Sequence, residues 1–443
     1  MKLKSIKINK IVVWVIIGLY LAVNSFYNLL PLGLAPDIVF IGIIAYEIID
    51  VLKNNVKFPR FNRKEFVAIT LIICMVFIYI IANILQGQRA LFDTFFTARE
   101  MLYLLVFYYF AKKGNYSIDV VKVILTLEFV ASLLYFINFI IGQPISPIAP
   151  YGASSVQIGA FTLYRDHSLM PNLQFFSCSY LYMKLIKKEY VFNKRTDTIY
   201  LVSIILATFL KMFRTKIALL VVCFLLAFFL ASGKKKVLNM RKIRYGIIAI
   251  LAVIAVMLFM PTVRERFVEA FTSVQNSLSL GQYSAYQGTG VYRLWMLESR
   301  INYLNENDQL LFGMGLISSR DTTQYFTSGS DTGIMSGSLS IVYNSDSAFL
   351  TLLPRYGMFG MFFYLLMLIL ISIGLIKQKS DFSRAVGIFI VCQMLEGVSG
   401  NGTLAETGPL LIGLLVGLAV SERRSSSFEV ERIESMYSDS NIQ

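Results

Sequence analysis

The sequence predicts an all-α polytopic integral membrane protein with about twelve transmembrane helices and one large, partly helical extracellular loop. Three observations predict it. The chain is 56% hydrophobic with 35 Phe among 443 residues, and its mean hydropathy is +0.63, far beyond what one soluble core can bury. Apolar windows recur along nearly the whole length. Lys and Arg fall in short clusters between those windows, the pattern that controls membrane topology.

Taken in order, the amino-terminal "MKLKSIKINK" resembles the charged flank of a signal peptide. No small-residue cleavage site follows it, so a retained first span is expected. Apolar windows near the ~17–25 residues needed to cross hydrocarbon place spans at 11–31, 37–52, 66–86, 91–111, 118–141, 169–186, 198–213, 216–232, 245–261, 357–376, 385–399 and 408–421. The second, seventh, eighth and last two are short. With the amino terminus inside, the basic clusters around Lys53–Lys64, Lys112, Lys184–Arg195, Lys234–Arg244, Lys377–Arg384 and Arg423 all become cytoplasmic, as positive-inside topology requires. Both termini are then cytoplasmic. The expected organisation is an N-terminal bundle over 1–261, the large loop and span entry over 262–356, C-terminal spans over 357–424 and a polar tail over 425–443. No internal repeat is visible, which counts against an inverted-repeat transporter.

Composition also removes several function classes. The net charge of +14 is spent on topology clusters and does not signal nucleic acid. Cys74, Cys178, Cys223 and Cys392 all lie in apolar runs, where a small core residue is the plain reading. A single histidine, His167, and scattered carboxylates offer no metal-ligand spacing, so no metal or cofactor is expected.

The outward side is unusual. It carries Arg89, Arg99, Arg165, Arg214, Arg264, Arg266, Arg293, Arg300, Arg320 and Arg355, against Lys216 and, depending on where its span ends, Lys211. Outer positive charge opposes the topology rule. Arg differs from Lys in its planar fork, which grips phosphate or carboxylate through two parallel hydrogen bonds. An anionic ligand on the outer side is therefore expected. The longest outer segment runs from Thr262 to Ser345, long enough to be functional. Within it "VRERFVEAFTSVQNSL" and "VYRLWMLESRINYL" have helical apolar stripes. The second predicts Leu294, Leu297, Ile301 and Leu304 on one face, with Arg293 and Arg300 projecting together from another. "TSGSDTGIMSGSLS" is Gly/Ser-rich and reads as a flap.

Three motifs, "FFTARE", "YRLW…LLFGMGL" and "DSAFLTLLPRYGMFG", in this order and on one side, resemble the O-antigen polymerase and O-antigen ligase superfamily. The likeness covers most of the chain. It implies glycosyl transfer at the outer face from an undecaprenyl-pyrophosphate-linked donor, without metal or nucleotide sugar. It implies roles for Arg214 in "MFRTK" and Arg293 in "YRLW", followed by the glycine pair Gly313 and Gly315. Ligases of this superfamily read His-Asn-x-aromatic-Leu at the next span entry. Here the run is Asp346, Ser347, Ala348, Phe349 and Leu350, then Gly357 and Gly360. Asp in place of His speaks against the ligase and rules out an imidazole at that position.

The chemistry asks for the same residue types. A sugar leaving a pyrophosphate releases a strongly anionic group, and a preorganised donor facing such charge is worth about 3–4 kcal/mol. Arg214 and Arg293 are the leading candidates, with Arg99, Arg165 and Arg300 beside them. Asp346 is the candidate proton acceptor for the attacking hydroxyl, a role worth ~10²–10⁴-fold. Tyr292 and Trp295, with Tyr286 and Tyr343, could stack on sugar rings.

Each candidate also has a plainer role. Arg214, Arg99 and Arg165 can snorkel to headgroups, and Arg293 and Arg300 can pair with loop acids. Asp346 can cap the following helix. His167 can be incidental, and Glu128 and Glu396 can hydrogen-bond between helices rather than act in chemistry. The expected partners are an undecaprenyl-pyrophosphate-linked oligosaccharide and membrane lipid, with a flippase and a chain-length regulator as further proteins and no nucleic acid. The rival readings are a ligase that transfers finished glycan and a flippase for the same lipid-linked sugars.

Overall fold

The computed structural model describes residues 10–23, 35–54, 64–86, 91–113, 118–141, 154–158, 161–165, 173–210, 214–232, 289–316, 347–398, 404 and 407–423. Its helices are α1 (Lys10–Val23), α2 (Ala35–Asn54), α3 (Lys64–Leu85), α4 (Leu91–Leu102), α5 (Val106–Lys113) and α6 (Ile118–Ile141). Then come α7 (Gln174–Lys187), α8 (Lys194–Leu210), α9 (Arg214–Ser232), α10 (Thr289–Glu306), α11 (Ala348–Ile376) and α12 (Asp381–Glu396). A last helix, α13, covers 408–423. A 3₁₀ turn at Tyr103–Leu105 joins α4 to α5, so the expected span at 91–111 is one continuous rod with a tightened middle.

The all-α expectation needs one correction. Ser154–Ile158 (β1) and Phe161–Arg165 (β2) form an antiparallel hairpin, with Ser154 opposite Arg165 and Ile158 opposite Phe161. Among the described residues, three helices are long and apolar enough to cross a membrane: Lys64–Leu85, Ile118–Ile137 and Ala348–Ile376, with a shorter apolar helix at Thr215–Ala231. Twelve spans are not confirmed by that measure, and the expected ninth, 245–261, lies outside the described residues. The long helices are nevertheless apolar outside as well as inside. On α3, Leu71, Ile78, Ile81 and Leu85 are all exposed, a stripe at helical spacing that only a lipid-like solvent accommodates.

The core is built around α7, whose residues from Gln174 to Leu181 are all buried and which packs against α8, α9 and α12. Alongside, α11 lies between α3 and α12. Close approach sets the position of α13. A Cβ on Gly417 would stand 2.8 Å from the Phe107 carbonyl oxygen and 2.6 Å from Phe110 Cβ. Gly413, four residues earlier, lies 3.3 Å by the same measure from the Leu104 oxygen. Small residues at this spacing let helix backbones touch.

Charge divides the bundle into two ends. At one end Lys112 pairs with Glu47 and Asp50, Lys184 and Lys187 pair with Asp381, and Arg423 pairs with Glu65. These cations belong to the clusters expected to be cytoplasmic. Glu47 and Asp50 close α2, while Asp381 and Glu65 open α12 and α3, so all sit at one level. The other ends of the same helices carry Asp37, Glu396 and Asn83, and there the candidate site lies.

Candidate functional site

At that second end α11 is broken. Pro354 removes a backbone donor and crowds the preceding turn, and Gly357 then takes φ 62°, ψ −173°. A helix broken in this way leaves amides after the break without their usual acceptors. Residues 309–316 supply them. The amides of Met358 and Phe359 donate to the carbonyls of Leu310 (2.9 Å) and Leu311 (3.0 Å), and the Met314 amide donates to the Pro354 carbonyl at 2.7 Å. The stretch can reach because α10 stops sharply. Asp308 adopts left-handed φ 56° and the Gln309 amide closes back on the Leu304 carbonyl at 2.7 Å, the usual left-handed helix ending. The glycine motif of the large loop is thus clasped into the glycine motif of the broken helix.

Around the clasp stands a set of buried and half-buried charges. Arg355, 5% exposed, donates from Nη1 to Glu100 Oε2 at 2.6 Å. The neighbouring Arg99 turns the other way and donates to Asp37 Oδ2 at 2.8 Å. Its guanidinium carbon lies 3.5 Å from the centroid of the Phe96 ring. Tyr103 donates its hydroxyl to the second Asp37 oxygen at 2.5 Å. Tyr79 donates to the Tyr356 carbonyl at 2.6 Å, pinning the turn before the break to α3.

The start of α11 is fixed separately. Both the Ala348 amide and the Ser347 hydroxyl donate to the Gly397 carbonyl at 2.9 Å. Ser347 Oγ also accepts from the Phe349 amide at 3.3 Å. Beside Gly397, Glu396 accepts from Lys216 at 3.2 Å, so the start of α9 is tied to the end of α12, next to the start of the broken helix.

The sequence candidates distribute as follows. Arg99 is at the site and engaged by Asp37. Arg214 opens α9, two residues from Lys216, with its side chain outside the described residues. Arg293, Tyr292 and Trp295 lie in the first turns of α10, and their side chains too are outside the described residues. Arg300, expected to project with Arg293 from a face other than that of Leu297, Ile301 and Leu304, is itself 2% exposed. Arg165 ends β2, its side chain outside the described residues. Asp346 and His167 are outside them altogether, as is the stretch "VRERFVEAFTSVQNSL". The cap expected from Asp346 is supplied by Ser347. Glu128 serves a packing role: Tyr20 donates to its Oε1 at 2.7 Å and the Leu173 amide at 3.0 Å. Nothing in the local pattern singles out Asp37, Glu100 or Tyr103, although "FFTARE" contains Glu100 itself.

Residues 199–365 match the family model described as O-antigen ligase. A search of curated proteins returns no match. The matched stretch begins in α8 and ends inside α11. It contains Arg214, Arg293, Arg300, the whole clasp and the helix break, and leaves out Arg99, Glu100 and Arg165. Over this segment the chain is similar to the O-antigen ligase family, and the match supports the O-antigen ligase and polymerase superfamily.

Proposed function

We propose that the protein is a membrane glycosyltransferase that polymerises undecaprenyl-pyrophosphate-linked repeat units into capsular polysaccharide, exopolysaccharide or O-antigen. The reaction takes place on the outer face of a bacterial plasma membrane, with both termini inside. One observation carries this reading: the family-matched segment contains both glycine motifs, and they meet at the end of the bundle where Arg99, Arg355 and the start of α9 gather.

In this mechanism the bond between the anomeric carbon of the growing glycan and its pyrophosphate breaks. A new bond forms from that carbon to a sugar hydroxyl of a fresh lipid-linked unit. The hydroxyl proton passes to Asp346, and the negative charge leaves on the undecaprenyl pyrophosphate. Arg214 and Arg293 hold that leaving group, with Arg99, Arg165 and Arg300 contributing to anion binding, while Tyr292 and Trp295 stack on sugar rings. Guanidinium forks supply the electrostatic stabilisation, so no metal is required. A flippase delivers the substrate, and a chain-length regulator acts on the product.

A ligase that hands finished glycan to another acceptor shares this chemistry, and the matched family model bears that description. Asp346 in place of the ligases' His favours the polymerase. Reconstitution with purified lipid-linked repeat unit tests both readings. A ladder of products is expected from the wild type, and Arg293→Lys should lose about 10²–10³-fold, the worth of one preorganised donor. Normal polymerisation by the Lys variant would overturn the role of the guanidinium fork. Transfer only to an added acceptor, without a ladder, would identify a ligase.

A further inference from the structure

The clasp has an outer surface that its role in closing the helix break does not explain. Leu311 and Phe312, at its tip, are 55% and 60% exposed, although they lie in a loop. Phe312 rests on Phe359 with ring centroids 5.9 Å apart, and Phe359 stacks on Phe363. On α11, Phe359, Phe362, Leu366, Ile369 and Ile373 form one exposed stripe on a helix long and apolar enough to cross a membrane. The loop tip continues that stripe upward without interruption. Just before it the character reverses, for Asn305, Glu306, Asn307 and Asp308 are all exposed.

Irregular backbone enters hydrocarbon only where its polar groups are satisfied within the protein. Three carbonyls of the tip meet that condition. The carbonyls of Gln309, Leu310 and Leu311 accept from the amides of Gly313, Met358 and Phe359 at 2.7, 2.9 and 3.0 Å. We infer that the Leu311–Phe312 tip is inserted into the acyl region of the bilayer beside the broken helix, with residues 305–308 at the headgroup level. The occupant of this surface is lipid hydrocarbon. The loop that joins α10 to the site is thereby anchored at a fixed depth, whatever reaction the site performs.

Spin labelling of the full-length protein in phosphatidylethanolamine–phosphatidylglycerol proteoliposomes tests this. Cys74, the exposed native cysteine, is first replaced by Ala. Nitroxides are then placed singly at Phe312→Cys, at Phe362→Cys as the lipid-facing reference and at Asn307→Cys as the aqueous reference. The label at 312 should collide more with oxygen than with the polar nickel reagent NiEDDA, with the same sign as 362 and the opposite sign to 307. Dominant NiEDDA collisions at 312 would mean that the tip faces water. Low collision with both reagents would mean that another part of the chain covers it. Either result overturns the inference. Leu311→Cys repeats the measurement should the Phe312 variant fail to fold.

Discussion

Gly313 and Gly357 face each other with left-handed backbone, φ 76° and 62°, so closely that neither can carry a side chain. A Cβ on Gly313 would lie 2.6 Å from the Gly357 nitrogen, and one on Gly357 would collide with the Gly313 nitrogen and the Leu311 oxygen. The neighbours are backbone and cannot swing aside. Ala at either position should therefore cost more than the ~1–2 kcal/mol of left-handed strain alone. Thermal unfolding in detergent should show Gly313→Ala and Gly357→Ala both destabilised, with the double variant clearly less destabilised than the sum, since both break one clasp. Strict additivity would show that the two sites do not share a contact.

Arg355 and Glu100 make the second link, and it reports on a different element pair. Arg355 projects from the turn that the clasp holds, and Glu100 comes from α4, so the pair ties the break to the helix that carries Arg99. Removing one partner of a largely buried pair weakens the compensation of the other charge, a loss of up to about 3–5 kcal/mol. Glu100→Ala and Arg355→Met should each lower the unfolding temperature strongly, whereas the combined variant should recover most of the loss. If the combined variant is as poor as the worse single one, the ion pair is not what holds these elements.

Much of this arrangement was legible in the residues, for identifiable reasons. Helix α10 follows from the spacing of Leu297, Ile301 and Leu304, and the basic clusters at one end follow from topology. Both glycine pairs were visible as motifs, because glycine marks backbone that other residues cannot adopt. Their mutual contact was not, because local pattern does not say which loop fills which helix break. Pairs such as Arg355 with Glu100, 255 residues apart, are equally silent in sequence. The cap is Ser347, whose Oγ accepts from the Phe349 amide; Ser and Asp are nearly equal as caps, so residue type alone does not choose between neighbours. The hairpin did carry a signal in hindsight: "SSVQI" and "FTLYR" alternate on either side of "GA", as strands around a tight turn do. It was hidden by the helical character of everything around it.

Arg99 offers the sharpest separation of architecture from chemistry. Its guanidinium lies on Phe96 and donates to Asp37, which Tyr103 also engages. This is a structural role that still leaves the buried Arg99 Nε without a hydrogen-bond partner, at the very end of the bundle where an anion is proposed to bind. Asp37→Asn keeps the shape but weakens the hold on Arg99, so Arg99 becomes freer to meet a second anion. If Arg99 also contacts the lipid-linked pyrophosphate, Asp37→Asn should lower KM for the lipid-linked unit while lowering thermal stability. Arg99→Lys should raise KM and leave the ring contact weakened, a cation–π interaction being worth about 0.5–2 kcal/mol. If Arg99 is only an anchor, both variants lose stability and neither moves KM at temperatures well below unfolding. Measuring KM and unfolding temperature on the same preparations separates the two outcomes. A stable Arg99→Lys protein with unchanged KM would remove Arg99 from the binding site and leave the pyrophosphate to Arg214 and Arg293.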